Sequence, residues 1–123
     1  MLSRLKHTLL FVMLTAFLGG FAGGAAAADS PVLDRVVEKR VLRVGMSGSQ
    51  PPFNVKSRSG SLIGIEVDLA TAIAAGLRVE LEIVQKPFGE LLGELDAGRV
   101  DMVMSGMAVT PERAQNVSFV GPY

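Results

Sequence analysis

Cysteine and tryptophan are absent from these 123 residues, histidine and tyrosine occur once each, as His7 and Tyr123, and the formal net charge is zero. Each scarcity excludes a class of chemistry. Without cysteine there is no disulfide framework, no thiolate nucleophile and no cysteine-built metal site. The lone histidine sits at the extreme N-terminus, so the body of the chain cannot hold a His-based triad or a histidine-ligated metal. Balanced charge with no basic stripe argues against nucleic acid as a partner. Carboxylates remain, but Glu66/Asp68 and Asp96/Asp101 lack the spacing of an oxygen-ligand calcium loop. No metal and no other cofactor is expected.

What the N-terminus does hold is a targeting pattern. Arg4, Lys6 and His7 precede a short apolar core from Leu9 to Phe17, and the small residues Ala25 to Ala28 precede Asp29. This predicts a signal peptide over residues 1–28, cleaved on export, and a periplasmic product. The alternative is a membrane anchor. Against it, the apolar run is interrupted by Gly19-Gly20 and Gly23-Gly24 and is short for the roughly 20 residues a span needs. No cysteine follows the apolar core, so a lipid-modified cysteine is not expected either. Cleavage removes two bases and no acid, and leaves at most one domain, residues 29–123. Arg35, Lys39, Arg40 and Arg43 alternate with Val36, Val37, Val41 and Leu42, the pattern of a solvated face rather than a phosphate site.

From Ser30 onward the pattern is βαβαβ behind a short leading helix. Ser30-Pro31 is a cap followed by a first-turn proline, and a helix is expected over Val32 to Lys39. Val41 to Met46 reads as a buried strand, and Ser47 to Pro52 as a loop. Phe53 to Val55 and Leu62 to Ile65 flank Ser57-Arg58-Ser59-Gly60 as a small hairpin. Glu66 to Ala75 is expected to be helical, with Ile65, Leu69, Ala72 and Ile73 inward and Gly76 just past its end. Val79 to Val84 alternates apolar residues with Glu80 and Glu82, as an edge strand would. A second helix spans Phe88 to Ala97, closed by Gly98. Val100 to Met104 and Val117 to Val120 are further strands. Strands alternating with helices imply a parallel sheet.

The chemistry-bearing stretch is Val100 to Arg113. A short apolar strand ends at Ser105-Gly106, and Thr110-Pro111-Glu112-Arg113 then provides an N-cap, a first-turn proline, an acid for the helix N-terminus and a guanidinium. Strand, tight loop and helical turn place backbone N–H groups and an arginine beyond the C-terminal end of a strand, where ligands of open α/β sheets bind. The fork of Arg113 matches a carboxylate or phosphate with two parallel hydrogen bonds. A solvated arginine on a surface turn is the plain alternative.

In order, the chain carries Leu42-Arg43-Val44-Gly45, Pro52-Phe53, Gly64-Ile65-Glu66-Val67-Asp68-Leu69-Ala70, Phe88, Gly98-Arg99-Val100-Asp101, Ser105-Gly106-Met107, Thr110-Pro111-Glu112-Arg113 and Phe119-Val120-Gly121-Pro122-Tyr123. This ordered set, from about Val41 to Tyr123, resembles the bacterial extracytoplasmic solute-binding proteins of family 3, the polar amino acid receptors of ABC importers. The resemblance implies an α/β fold. Residues 29–123 would be the N-terminal lobe of a type II periplasmic-binding-protein-like fold, a mostly parallel sheet with flanking helices, incomplete because it stops at the hinge to a second lobe.

The same resemblance implies a ligand-binding set of Ser47, Gln50, Phe53, Phe88, Ser105, Gly106, Ala108 and Arg113. Residues 46–51 would line the side-chain end of the pocket. Relatives that take basic amino acids carry an acid and an aromatic there, where this chain has Ser47 and Gln50. Phe88 would pack on the ligand's aliphatic part, although its helical spacing fits a core role equally. Gly106 and Ala108 would offer backbone groups, and Arg113 would pair with the α-carboxylate. Many relatives have Thr or Ser where this chain has Ala108, which opens the way to a carboxylate held differently. Asp68, shared with the family, reads as structural. The implied partners are a small-molecule ligand, an amino acid or carboxylate, and the membrane permease of an ABC importer. An exported enzyme on the same fold, resembling cyclohexadienyl dehydratases, is the competing reading. It needs a general acid or base, and residues 29–123 offer no obvious one. A truncated fragment that binds nothing is the third. A lone lobe leaves one side of its ligand in water, so binding of about millimolar strength or weaker is expected.

Overall fold

The computed structural model describes residues 30–123. The expected signal peptide lies outside the described residues. Helix α1 spans Pro31–Lys39; the Ser30 hydroxyl accepts from Leu33 N–H at 3.4 Å, and the chain leaves the helix through Arg40 in the left-handed region. Strand β1 spans Val41–Met46 and is the middle of a three-stranded sheet, between β5 (Glu80–Gln85) and β6 (Met102–Val103). Both pairings are parallel. Val41 to Met46 runs beside Glu80 to Gln85, and Val44 and Gly45 pair with Met102 and Val103.

The position of β1 explains its composition. Leu42, Val44 and Met46 point to one face and join Val36, Ala70, Ala74 and Met104 in the core. On the other face Gly45 lets Leu91 approach; a Cβ there would lie 3.2 Å from its Cδ2 atom. Leu91 is fully buried, and truncating such a leucine to alanine costs about 2–5 kcal/mol. The edge strand β5 keeps Glu80, Glu82 and Gln85 in solvent, as its alternation predicts.

A second, antiparallel sheet follows β1. It comprises β2 (Ser49–Gln50), β3 (Asn54–Lys56) and β4 (Leu62–Ile63). The expected hairpin is therefore one strand wider, because Ser49 and Gln50 pair with Val55 and Asn54. Helix α2 runs Ile65–Leu77, two residues beyond the expected end. Gly76 lies inside it, and Arg78 in the left-handed conformation closes it. After β5, Phe88–Glu90 is a 3₁₀ turn leading into α3 (Leu91–Asp96), and α4 is Pro111–Ala114. No strand forms at 117–120. Val120 is 91% exposed, and β-propensity without a neighbour to pair with does not make a strand.

Two expectations about faces need correction. The inward stripe of α2 is Glu66, Ala70 and Ala74, while Ile65 is half exposed and Ala72 is exposed. A carboxylate therefore heads the buried face. The basic cluster is also not a plain solvated face. The Asp101 side chain is 3% exposed and takes the Arg43 guanidinium at 2.9 Å and 3.3 Å and the Arg43 backbone N–H at 2.8 Å. Arg35 forms a second ion pair to the same carboxylate. Lys39 and Arg40 remain exposed.

Candidate functional site

The C-terminal ends of β1 and β6 release two neighbouring loops. Met104 N–H still donates to the Gly45 carbonyl at 3.0 Å, so the chain leaves β6 alongside Met46 and Ser47. At that point the side chains turn from apolar to polar. Ser47 N–H donates to the Ser105 hydroxyl at 3.0 Å, and that hydroxyl donates to Ser47 Oγ at 2.9 Å. Ser105 Oγ also lies 3.4 Å from Gln50 Oε1. Gly106 is in the left-handed region (φ +56°); a Cβ there would meet Gln50 Oε1 at 2.8 Å and Phe53 Cδ2 at 3.6 Å. Glycine is thus required twice over, by conformation and by space. The structure brings Ser47, Gln50, Phe53, Ser105 and Gly106 together in one corner.

Beneath this corner lies a polar cluster that the sequence reading missed. Glu66 is fully buried. Its Oε1 atom accepts from Gly106 N–H at 2.7 Å and from the Tyr123 hydroxyl at 2.5 Å, and its Oε2 atom accepts from Asn54 Nδ2 at 2.5 Å. Asn54, also fully buried, uses its carbonyl oxygen on Gly48 N–H and on the Ser47 hydroxyl. Removing a carboxylate from water costs several kcal/mol. Three hydrogen bonds to the charged form, each contributing about 1.5–3 kcal/mol, offset it. Desolvation first, and then Glu66, hold the Tyr123 hydroxyl well above its usual pKa.

Helix α2 reaches this position through Gly64. Its φ of +135° lets the helix start abut Phe53, whose carbonyl would sit 2.2 Å from a Cβ. Ile65 and Glu66 N–H groups then donate to the Pro52 and Phe53 carbonyls at 3.2 and 3.0 Å. In the sequence Glu66 stands within the family-like run Gly64 to Ala70 and aligns at i, i+4, i+8 with Ala70 and Ala74, neither of which marks it as buried.

The remaining expected residues form a second corner. The Thr110 hydroxyl accepts from Arg113 N–H at 3.2 Å, capping α4 as expected. The Arg113 guanidinium donates to the Ala108 carbonyl at 2.9 Å in an exposed bond and lies over the Phe88 ring, 5.7 Å from its centroid. Phe88 is half buried, Ala108 is exposed, and no carboxylate pairs with Arg113 among the described residues. Arg113 also lines a depression of about 620 Å³, whose wall includes Asp96 and Glu112. The negative charge of these two acids disfavours an anionic group there.

Two other charged places are structural. Glu94, 6% exposed, is forked by Arg99 at 2.8 and 3.0 Å. That pairing lowers the carboxyl pKa and raises that of the guanidinium. A shallow cavity of about 480 Å³ among Lys39, Arg40, Arg78 and Glu80 lies at the opposite end of the sheet, at the N-terminal ends of β1 and β5, away from the polar corner. Asp68 is exposed in the first turn of α2, where its charge suits the helix dipole. No group of acids that could hold a metal occurs among the described residues.

Comparison with known proteins agrees with this fold. Residues 42–123 match the bacterial extracellular solute-binding proteins, family 3. The chain is 32% identical over 118 residues to the L-cystine-binding protein TcyJ of Escherichia coli K12, covering 96% of this chain and 44% of that one. It is also 32% identical over 112 residues to a cyclohexadienyl dehydratase of Pseudomonas aeruginosa, covering 91% of this chain and 42% of that one. Among solved structures, the arginine-bound form of domain 1 of the T. maritima protein TmArgBP superposes with a TM-score of 0.71 at 40% identity, over 73% of this chain and 71% of that one. The chain therefore spans less than half the length of the curated relatives it matches, and most of a single domain of the structural one.

Proposed function

From the premise that the chain belongs to the bacterial extracellular solute-binding proteins of family 3, we propose that it is the N-terminal lobe of an exported receptor. It captures a small polar solute, an amino acid or related carboxylate, for the permease of an ABC importer. The observation that carries this reading is the placement of Arg113. Among the described residues its guanidinium has one backbone acceptor and an aromatic ring but no carboxylate, so a ligand carboxylate is the partner its fork lacks. The Ser105–Gly106 loop with Gln50 and Phe53 provides the other wall. Family members work outside the cytoplasm, which supports export of this chain by the expected signal peptide over residues 1–28. The relatives that bind L-cystine and the neighbour that holds arginine support an amino acid as ligand.

Calorimetry of the chain with L-cystine, L-arginine and small dicarboxylates tests this reading. Saturable binding to wild type that disappears in Arg113→Ala is expected; equal heats for both would overturn it. Domain 1 of TmArgBP has an arginine-bound form, which favours detectable binding by one lobe over the expectation of about millimolar strength or weaker. Activity as an enzyme is the second reading, favoured by the dehydratase relative. Turnover of prephenate or arogenate by the chain joined to a second lobe would establish it.

A further inference from the structure

Gly106 and Tyr123 are hydrogen-bonded to the same oxygen atom of a buried carboxylate, although they lie 40 and 57 residues from it in the chain. Glu66 Oε1 takes the Gly106 N–H at 2.7 Å and the Tyr123 hydroxyl at 2.5 Å. Its other oxygen takes Asn54, which in turn fixes Gly48 and Ser47. One side chain thereby ties together the loop after β1, the loop after β6 and the segment that ends in Tyr123. The loops after β1 and β6 are also joined directly at the Ser105 hydroxyl, which meets Ser47, Gln50 and Asn54, whereas the Tyr123 hydroxyl reaches both loops through Glu66.

We propose that Glu66 is a positioning residue that couples the conformation of the Ser105–Gly106 loop to the position of the Tyr123 segment. Two donors on one oxygen compete. When the Tyr123 hydroxyl is in place, it withdraws electron density from Oε1 and weakens the Gly106 bond. When the tyrosine moves away, Gly106 N–H takes that oxygen alone and the loop is drawn toward α2. A ligand that engages Gly106 therefore biases where the Tyr123 segment sits, and movement of that segment changes how Gly106 is presented. The coupling rests on the reading of this loop as ligand-holding. Its test needs no ligand, so the two can fail separately.

The donor pattern supplies a test that ordinary destabilisation does not mimic. Glu66→Gln can keep an oxygen toward Gly106 and Tyr123 only by turning its amide N–H toward the Asn54 amide, donor against donor. Adding Asn54→Asp restores the donor–acceptor match between positions 54 and 66. The aspartate accepts from Gly48, Ser47 and the new glutamine, and the glutamine oxygen accepts from Gly106 and Tyr123. The chain has no tryptophan and one tyrosine, so intrinsic emission reports on Tyr123 alone, and a carboxylate hydrogen bond quenches it.

The experiment follows the Gly106 amide proton by NMR and the Tyr123 emission in the ligand-free full chain. Tyr123→Phe should move the Gly106 amide downfield. Glu66→Gln should move it upfield and raise the tyrosine emission. The Asn54→Asp/Glu66→Gln pair should bring the Gly106 amide back toward wild type. A Gly106 amide unmoved by Tyr123→Phe would overturn the coupling, as would a double variant no nearer wild type than Glu66→Gln. If Glu66→Gln does not fold, Tyr123→Phe still decides, because Tyr123 is 61% exposed and its ring is not in the core. Absence of binding to L-arginine or L-cystine, with the Gly106 responses intact, would count against the solute reading alone.

Discussion

The corner around Glu66 and the corner around Arg113 meet the same loop after β6, at Gly106 and Ala108, yet they are built on opposite terms. At Glu66 the carboxylate and the Asn54 amide are fully buried and have their partners within the lobe. At Arg113 a charged head is partly in solvent, with one carbonyl and one ring for company. The first arrangement spends its hydrogen bonds on holding shape. The second leaves donors free for something that arrives. Preorganised support beside an uncommitted guanidinium is what a binding surface requires, since an exposed ion pair contributes only about 0–1 kcal/mol until water is excluded from it.

The comparison breaks if the two corners respond alike to truncation. Glu66→Ala should cost the most in stability, about 3–5 kcal/mol, because it leaves Asn54, Gly106 and Tyr123 donors without an acceptor. Urea unfolding measures it, and a loss below 1 kcal/mol would mean the cluster is not holding the loops. Arg113→Ala should behave in the reverse manner. Stability should stay within about 1 kcal/mol, while in the chain joined to a second lobe affinity for the preferred solute falls by about 2–5 kcal/mol, or roughly 30-fold to several thousand-fold. Arg113→Lys should also bind poorly, because a point charge cannot reproduce the fork. Calorimetry beside thermal melts separates the two quantities.

Gly106→Ala sharpens the comparison, since Gly106 belongs both to the supported corner and to the proposed binding loop. The left-handed backbone costs alanine about 1–2 kcal/mol, and Gln50 Oε1 must move from its 2.8 Å approach. The melting temperature should fall modestly, and affinity should fall with it. The smallest effect is expected at Phe88→Leu. Removing the ring beneath the guanidinium forfeits about 0.5–1 kcal/mol, visible as a several-fold weaker affinity with little change in the melt. A drop as large as that of Leu91→Ala would place Phe88 in the core instead.

Much of this arrangement is legible in the sequence. Ser30-Pro31 and Thr110-Pro111 mark helix starts that form where the pattern places them. The apolar run of β1 and the alternation of β5 give a central strand and an edge strand. Ser47, Gln50, Phe53, Ser105 and Gly106 converge in one corner, and Phe88, Ala108 and Arg113 in another. Each of these features depends on residues a few positions apart, or on a strand burying itself as its period dictates. Where the reading goes astray, the deciding partner is remote. Val117 to Val120 has the composition of a strand and no neighbour to pair with. Arg43 looks like one of four surface bases until Asp101, 58 residues on, arrives beside it.

The sequence by itself determined the order of the elements, their caps, the parallel sheet and the residues that line the loops at one end of it, because periodicity and turn chemistry act over a few residues. Only the tertiary structure decided that a glutamate between Ile65 and Val67 would be fully buried and serve three segments at once. Nothing local distinguishes Glu66 from the exposed Asp68 two residues later. The difference is one of angle around α2 and of the donors waiting on that side: Asn54 from β3, Gly106 from the loop after β6 and Tyr123 from the far end of the chain. A charge is stable in the interior only where such donors converge, and convergence exists only once the chain has folded.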